Sequence, residues 1–285
     1  KFGILRDLLL DEGVADRTQF VEPAKATRVQ LERVHDADYL DAFVSGKLDR
    51  DAERRIGLPW SAGLVNRTIT AVGGTIRTTE LALAHGLACN TAGGTHHAHR
   101  GFGSGFCIFN DLAVAAAEAL HRGWVQQVLI LDLDVHQGDG TAAIFADEPR
   151  VFTCSVHCEK NFPARKVPSD LDVPLAPGVG DDKYLRVLRD TLPGLLENIE
   201  PDMVLYDAGV DPHVDDKLGR LSLTDAGLFE RDRYVLESCR ADGIPTACVI
   251  GGGYHADHRT LASRHAILHR AATAVWNREH QPVAG

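Results

Sequence analysis

The chain has 285 residues, of which 44% are hydrophobic and 25% charged, enough to bury a full core as one α/β domain over residues 1–285. Its formal net charge of -10 disfavours a nucleic-acid or anionic-membrane surface, while an acidic rim can attract a basic, lysine-bearing partner. No apolar run approaches the ~20 residues of a membrane span and no secretory leader is evident, so a cytoplasmic protein is expected.

Residues 1–50 carry helical patterning broken at Pro23. Asp36 is expected to cap the second helix there, beside a packed His35. Residues 54–60 read as an irregular link, and 61–85 as a long helix in which Gly73 and Gly74 permit close packing. A short strand over 87–91 leads into AGGTHHAHRGFGSGFCIFND, whose glycines let the backbone press against a ligand. His96 and His97 are adjacent, so their rings must diverge; a tandem acid/base pair suits them better than twin ligation. An amphipathic helix over 109–122 follows.

The most informative stretch is VLILDLDVHQGDGT, residues 128–141. Four apolar residues read as a parallel strand buried on both faces, after which Asp132, Asp134 and His136 recur at every second position. Period two puts these three on one side and Leu131, Leu133 and Val135 on the other. Two carboxylates and an imidazole forced together beside an apolar strand repel unless a cation neutralises them, so a bound metal is expected. Asp139 by itself could instead cap a helix over 141–145.

A buried strand over 151–156 ends at Ser155 and His157, and the segment KNFPARKVPSDLDVPLAPGVGDD, with four prolines, reads as a long loop walling a pocket. A helix over 181–199 and a strand over 203–206 follow, and the latter runs into DAGVDPH, placing Asp211 past a strand end. Thr224 caps a helix to 241, a strand over 245–250 ends in GGGYH, and a helix over 256–276 closes the chain. Repeated strand-loop-helix units imply a parallel sheet with the polar clusters at one edge. The cysteines (Cys89, Cys107, Cys154, Cys158, Cys239 and Cys248) are scattered, as expected of reduced thiols; Cys154, His157 and Cys158 lack a second ligand pair at finger spacing.

The order and separation of H-H at 96–97, D-L-D-V-H-Q-G-D-G at 132–140, A-G-V-D at 208–211 and G-G-G-Y at 251–254 resemble the zinc-dependent histone deacetylase family along nearly the whole chain. The phrases NFPARK, SDLD and LGRLSLT are most similar to its class IV branch and the bacterial relatives of that branch. This resemblance implies the three-layer arginase-deacetylase fold, a central parallel eight-stranded sheet flanked by helices. It also implies that Asp134, His136 and Asp211 hold Zn2+, with Fe2+ the other ion suited to the set. His97, oriented by Asp139, would take a proton from the attacking water; His96, paired with Asp132, would support developing charge; Tyr254 would donate to the oxyanion. A structural K+ would lie at Asp132, Asp134, His136, Ser155 and Val156. Gly105 and Phe106 would line the acyl tunnel, with Phe162 a facing wall.

Asn66 and Arg67 stand where many members of that family carry a rim aspartate, and Leu218 stands where polyamine deacetylases place a glutamate. The implied reaction is removal of an acetyl or longer acyl group from the lysine amine of a protein, peptide or small molecule. Rival readings are an acylpolyamine hydrolase of the same fold, an arginase-like ureohydrolase, whose Asp-x-His-x-Asp order this chain lacks, and a catalytically silent acyl-lysine binding module.

Overall fold

The computed structural model describes residues 1–280. At its centre, β1 (Leu87–Cys89), β2 (Val128–Asp132), β3 (Val151–Cys158), β4 (Leu171–Leu175), β5 (Met203–Asp207) and β6 (Thr246–Val249) form one sheet in the order β1-β6-β5-β2-β3-β4. Every pairing is parallel. The α/β class and parallel sheet agree with expectation, but the sheet has six strands among the described residues, not eight. Among the described residues no strand precedes β1 or follows β6, and the sheet ends on β1 at one edge and β4 at the other.

Two helical layers cover the sheet. Alternation along β2 divides the core: Leu129 and Leu131 pack with Leu133 and Val135 into one cluster, Val128 and Ile130 into the other. Each such fully buried side chain contributes about 1.5–3 kcal/mol relative to exposure. The first layer holds α1 (Phe2–Asp11), α8 (Asp181–Ile199), α9 (Asp225–Ala241) and α10 (His258–His280). The second is built on α2 (Arg28–Glu32), α3 (Ala37–Val44), α4 (Arg50–Ile56), α5 (Ala62–His85), α6 (Asp111–His121) and α7 (Asp139–Phe145). No described helix is long and apolar enough to cross a membrane.

Local chemistry explains the ends. Ser61 Oγ accepts from Leu64 N at 3.0 Å to start α5, and left-handed Gly86 stops it; Thr224 caps α9 by accepting from Gly227 N at 3.1 Å. Three expectations fail. The supposed link at 54–60 holds the end of α4, a polar helix that buries only Ile56. The proline-rich loop contains β4, an edge strand that tolerates Pro174. At α3, Asp36 holds the capping position without a side-chain hydrogen bond, whereas His35 is packed against Tyr39 and Phe109 as expected.

Strand order reverses between β2 and β5: the chain leaves β2 toward β3 and β4 on one side, and β5 toward β6 on the other. The crevice at the carboxyl ends of those two strands is where ligands collect in open α/β sheets.

Candidate active site

The loops leaving β2 and β5 bring Asp134, His136 and Asp211 together, all buried. His136 Nδ1 lies 3.0 Å from Asp134 Oδ1 and 3.2 Å from Asp211 Oδ2. Those separations approach the ~3.3 Å edge of a tetrahedron whose bonds are about 2.0–2.1 Å. The electrostatics agree. Burial alone would lower the imidazole's pKa, but its hydrogen bonds to Asp134 and Asp211 carry it up to about 10. Burial and the neighbouring Asp134 push Asp211 up to about 7. The cluster thus holds a proton tightly in a place suited to a divalent cation, and its donors fit one. Gly252 completes the enclosure, since a Cβ there would lie 2.3 Å from Asp211 Oδ2 and 2.5 Å from Asp134 Oδ2.

Beside this trio stand the two histidines, each backed by a carboxylate. His96 Nδ1 is 2.7 Å from Asp132 Oδ2, His97 Nδ1 is 2.6 Å from Asp139 Oδ1, and the two Nε2 atoms meet at 3.1 Å. With each Nδ1–H donated to its carboxylate, both Nε2 atoms face the same space. The rings differ in charge. Burial and the adjacent His96 lower His97 to about 4, leaving it neutral. For His96, burial acts the same way but is outweighed by Asp132 and Asp134, so its pKa lies well above the ordinary value. Asp139 is not a helix cap: α7 starts at Asp139 behind Gly138, and the Asp139 carboxylate is spent on His97 and on His99, whose Nε2 lies 3.1 Å from Oδ2.

Around the mouth, Gly105 has φ +52°, and a Cβ there would be 2.7 Å from His97 Cδ2, so only glycine admits the loop. Phe162 packs edge-on to His97 with centroids 4.8 Å apart, on the same side as Gly105. Phe106 instead neighbours Tyr254, at 5.7 Å. Burial, reinforced by Asp211, keeps the Tyr254 hydroxyl protonated and so a donor. Phe106, Phe162 and Leu218 are each 44% exposed, forming an apolar lip. Asn66 and Arg67 lie within α5 and line a cavity of about 1220 Å³ together with Phe106 and Tyr254. That cavity runs beside the Asp134–His136–Asp211 trio and is not lined by it. Ser155 lies directly across from Asp132 in the strand register, and its hydroxyl is 3.1 Å from His157 Nδ1; Val156 follows on β3.

Several supporting residues escaped the sequence reading. Asp111 accepts from Gly94 N and Thr95 N, and Asn110 Nδ2 donates to Ala98 O, so the FND tripeptide anchors the histidine loop. Asn161, which opens NFPARK, donates to Leu218 O at 2.6 Å and stands 3.3 Å from His136 Nε2. Asp216 accepts from Leu218 N and Tyr254 N, tying two mouth loops together. Arg231 is fully buried on α9 and donates to Leu133 O and Gly209 O, bracing both ligand loops from beneath. Asp207, paired with Asp132 in the register, is fully buried with neither carboxylate oxygen hydrogen-bonded, His96 Nδ1 lying 3.9 Å from Oδ2; burial and Asp132 raise its pKa well above the ordinary range. A carboxylate closing β5 was the available signal for Asp207; an ordinary helical arginine gave none for Arg231.

Comparison with known proteins agrees with this geometry. An uncharacterised protein of Picosynechococcus is 58% identical over 276 residues, covering 97% of this chain and 92% of that protein. Histone deacetylase 2 of Arabidopsis thaliana is 32% identical over 264 residues, covering 89% of this chain and 68% of its own length. The crystal structure of a histone deacetylase homologue from Aquifex aeolicus superposes with a TM-score of 0.79 at 26% identity, covering 96% of this chain and 76% of that one. The histone deacetylase domain matches residues 2–270, and on that match the chain belongs to the histone deacetylase family.

Proposed function

We propose that the protein is a metal-dependent deacetylase that hydrolyses the side-chain amide of acyl-lysine, carrying an acetyl or longer acyl group, in a protein, peptide or small molecule. The observation that carries this reading is the buried Asp134–His136–Asp211 trio set against two histidines that each rest on a carboxylate. A divalent ion bound there, Zn2+ or Fe2+, would polarise the amide carbonyl and acidify a water.

The chain's own groups supply the rest. His97, neutral and with Nε2 free of Asp139, accepts the proton of the attacking water and returns it to the departing lysine amine. His96, held charged by Asp132, stabilises the negative charge that develops. Tyr254 donates its hydroxyl to the oxyanion. Phe162, Gly105 and Phe106 flank the acyl-lysine stem, an apolar passage for a methylene chain. These intact acid–base pairs favour catalysis over a silent reader, and the apolar Leu218 at the lip favours a lysine stem over a polyamine. We further propose a K+ held by Asp132, Asp134, His136, Ser155 and Val156, on the strength of the Asp132–Ser155 register, and a place in the class IV branch on NFPARK, SDLD and LGRLSLT.

The test is hydrolysis of a fluorogenic acetyl-lysine amide by purified protein before and after metal removal. Activity should vanish on chelation and return with one equivalent of Zn2+ or Fe2+. Full turnover in protein shown to be metal-free overturns the reading.

A further inference from the structure

The second histidine bound to Asp139 has no role in the scheme above. We propose that His99 is a positioning residue for the reaction, clamping Asp139 against His97 so that the carboxylate holds the His97 ring in its working orientation.

The geometry is that of a carboxylate shared between two imidazoles. Asp139 Oδ1 takes His97 Nδ1 at 2.6 Å and Oδ2 takes His99 Nε2 at 3.1 Å. An aspartate's terminal torsion is broad and roughly two-fold, so one hydrogen bond leaves it free to swing. A second donor on the other oxygen stops the swing, and the angle of the Oδ1–His97 contact is then fixed from both sides.

His99 is itself held for this task. Its ring stacks on Phe102 at 4.3 Å and 17°, and the Arg55 guanidinium lies over the same phenyl ring, 4.8 Å from its centroid. Its backbone N–H donates to Phe102 O at 2.9 Å, and its carbonyl accepts from His35 Nδ1 at 3.0 Å. With its backbone tied at both ends and its ring stacked, the imidazole is held where Nε2 meets Asp139. The side chain is only 15% exposed, so water competes weakly for Oδ2. A histidine serving surface solubility would need none of these restraints.

This inference rests on His97 acting as the base, and the experiment separates the two. The metal-loaded full chain and its His99→Phe, His99→Gln, His99→Asn and His97→Ala variants are assayed on an acetyl-lysine amide, with melting temperatures measured alongside. His99→Phe keeps a ring for stacking but loses the donor; kcat should fall about tenfold, with KM within about twofold and little change in melting temperature. His99→Gln, whose amide can donate to the same oxygen, should keep at least about half of the wild-type kcat, while the shorter His99→Asn should be as slow as the phenylalanine variant. Should His99→Phe fail to fold, the contrast between Gln and Asn decides, and equal rates for those two overturn the proposal. A wild-type kcat in His99→Phe beside a dead His97→Ala overturns the clamp alone. An active His97→Ala removes the base assignment, and the clamp with it.

Discussion

Gly252 donates its backbone N–H to Asp134 Oδ2 at 2.8 Å, so the loop that carries Tyr254 is fastened directly to a carboxylate of the proposed metal trio. A methyl group at 252 has no room between Asp134 and Asp211. Gly252→Ala should therefore weaken metal affinity about 10–100-fold, the range found when a ligand's supporting partner is lost, and turnover at limiting metal should fall with it. A competition titration against a chromogenic chelator measures this; unchanged affinity would show that the loop yields at no cost to the site.

Tyr254 is tied through its backbone to Asp216 at 2.7 Å, which leaves the side chain to act through its hydroxyl. Tyr254→Phe should lower kcat about 100-fold or more, since one preorganised donor to an oxyanion is worth that much, with the melting temperature nearly unchanged. A rate near wild type would assign the ring to packing.

Asp139→Asn keeps the size of the side chain and removes the charge that orients His97. Turnover should drop by about 10²–10⁴-fold. Because α7 starts without a side-chain cap, its stability has little to lose, and the melting temperature should move by only a few degrees. A large thermal loss with normal kinetics would reverse that ranking.

Acid should weaken the fold partly through His35. Burial lowers its pKa from 6.5 to about 4, its Nδ1 serving His99 O and its Nε2 accepting from Asn110 N. The unfolded chain takes up this proton first. The contribution is therefore intact above pH ~6.5 and declines as pH falls toward ~4, by about 3 kcal/mol in all. Melting temperatures across that range should fall less steeply in His35→Gln than in the natural chain; parallel curves would discount the residue.

Much of the candidate site can be read from the chain because its polar groups follow directly on buried strands. Asp132, Asp134 and His136 alternate with Leu131, Leu133 and Val135, which pack into the core, and the three polar groups fall into the two adjoining clusters at the end of β2. Asp211 stands just past another strand end, whereas His96 and His97 are legible through their adjacency in a glycine-rich loop and the family motif they belong to. Where the pattern is silent, reading fails. The α4 sequence RDAERRI has no apolar stripe, and β4 includes Asp172 and Pro174, which belong to an edge strand only once β3 is beside it. Arg231 has an unremarkable helical context; its burial and its hold on two distant carbonyls are products of tertiary packing.

The short helix α4 has a consequence for how this scaffold diversifies. Gly105 N donates to Arg55 O at 3.1 Å and Phe106 N to Ile56 O at 2.8 Å, so the entrance hangs from a segment some fifty residues upstream. Drift in that upstream segment re-tailors what the doorway admits, and as long as Arg55 keeps its place over Phe102 the reacting groups stay put. Grafting it between relatives with Arg55 retained is a route to new clientele.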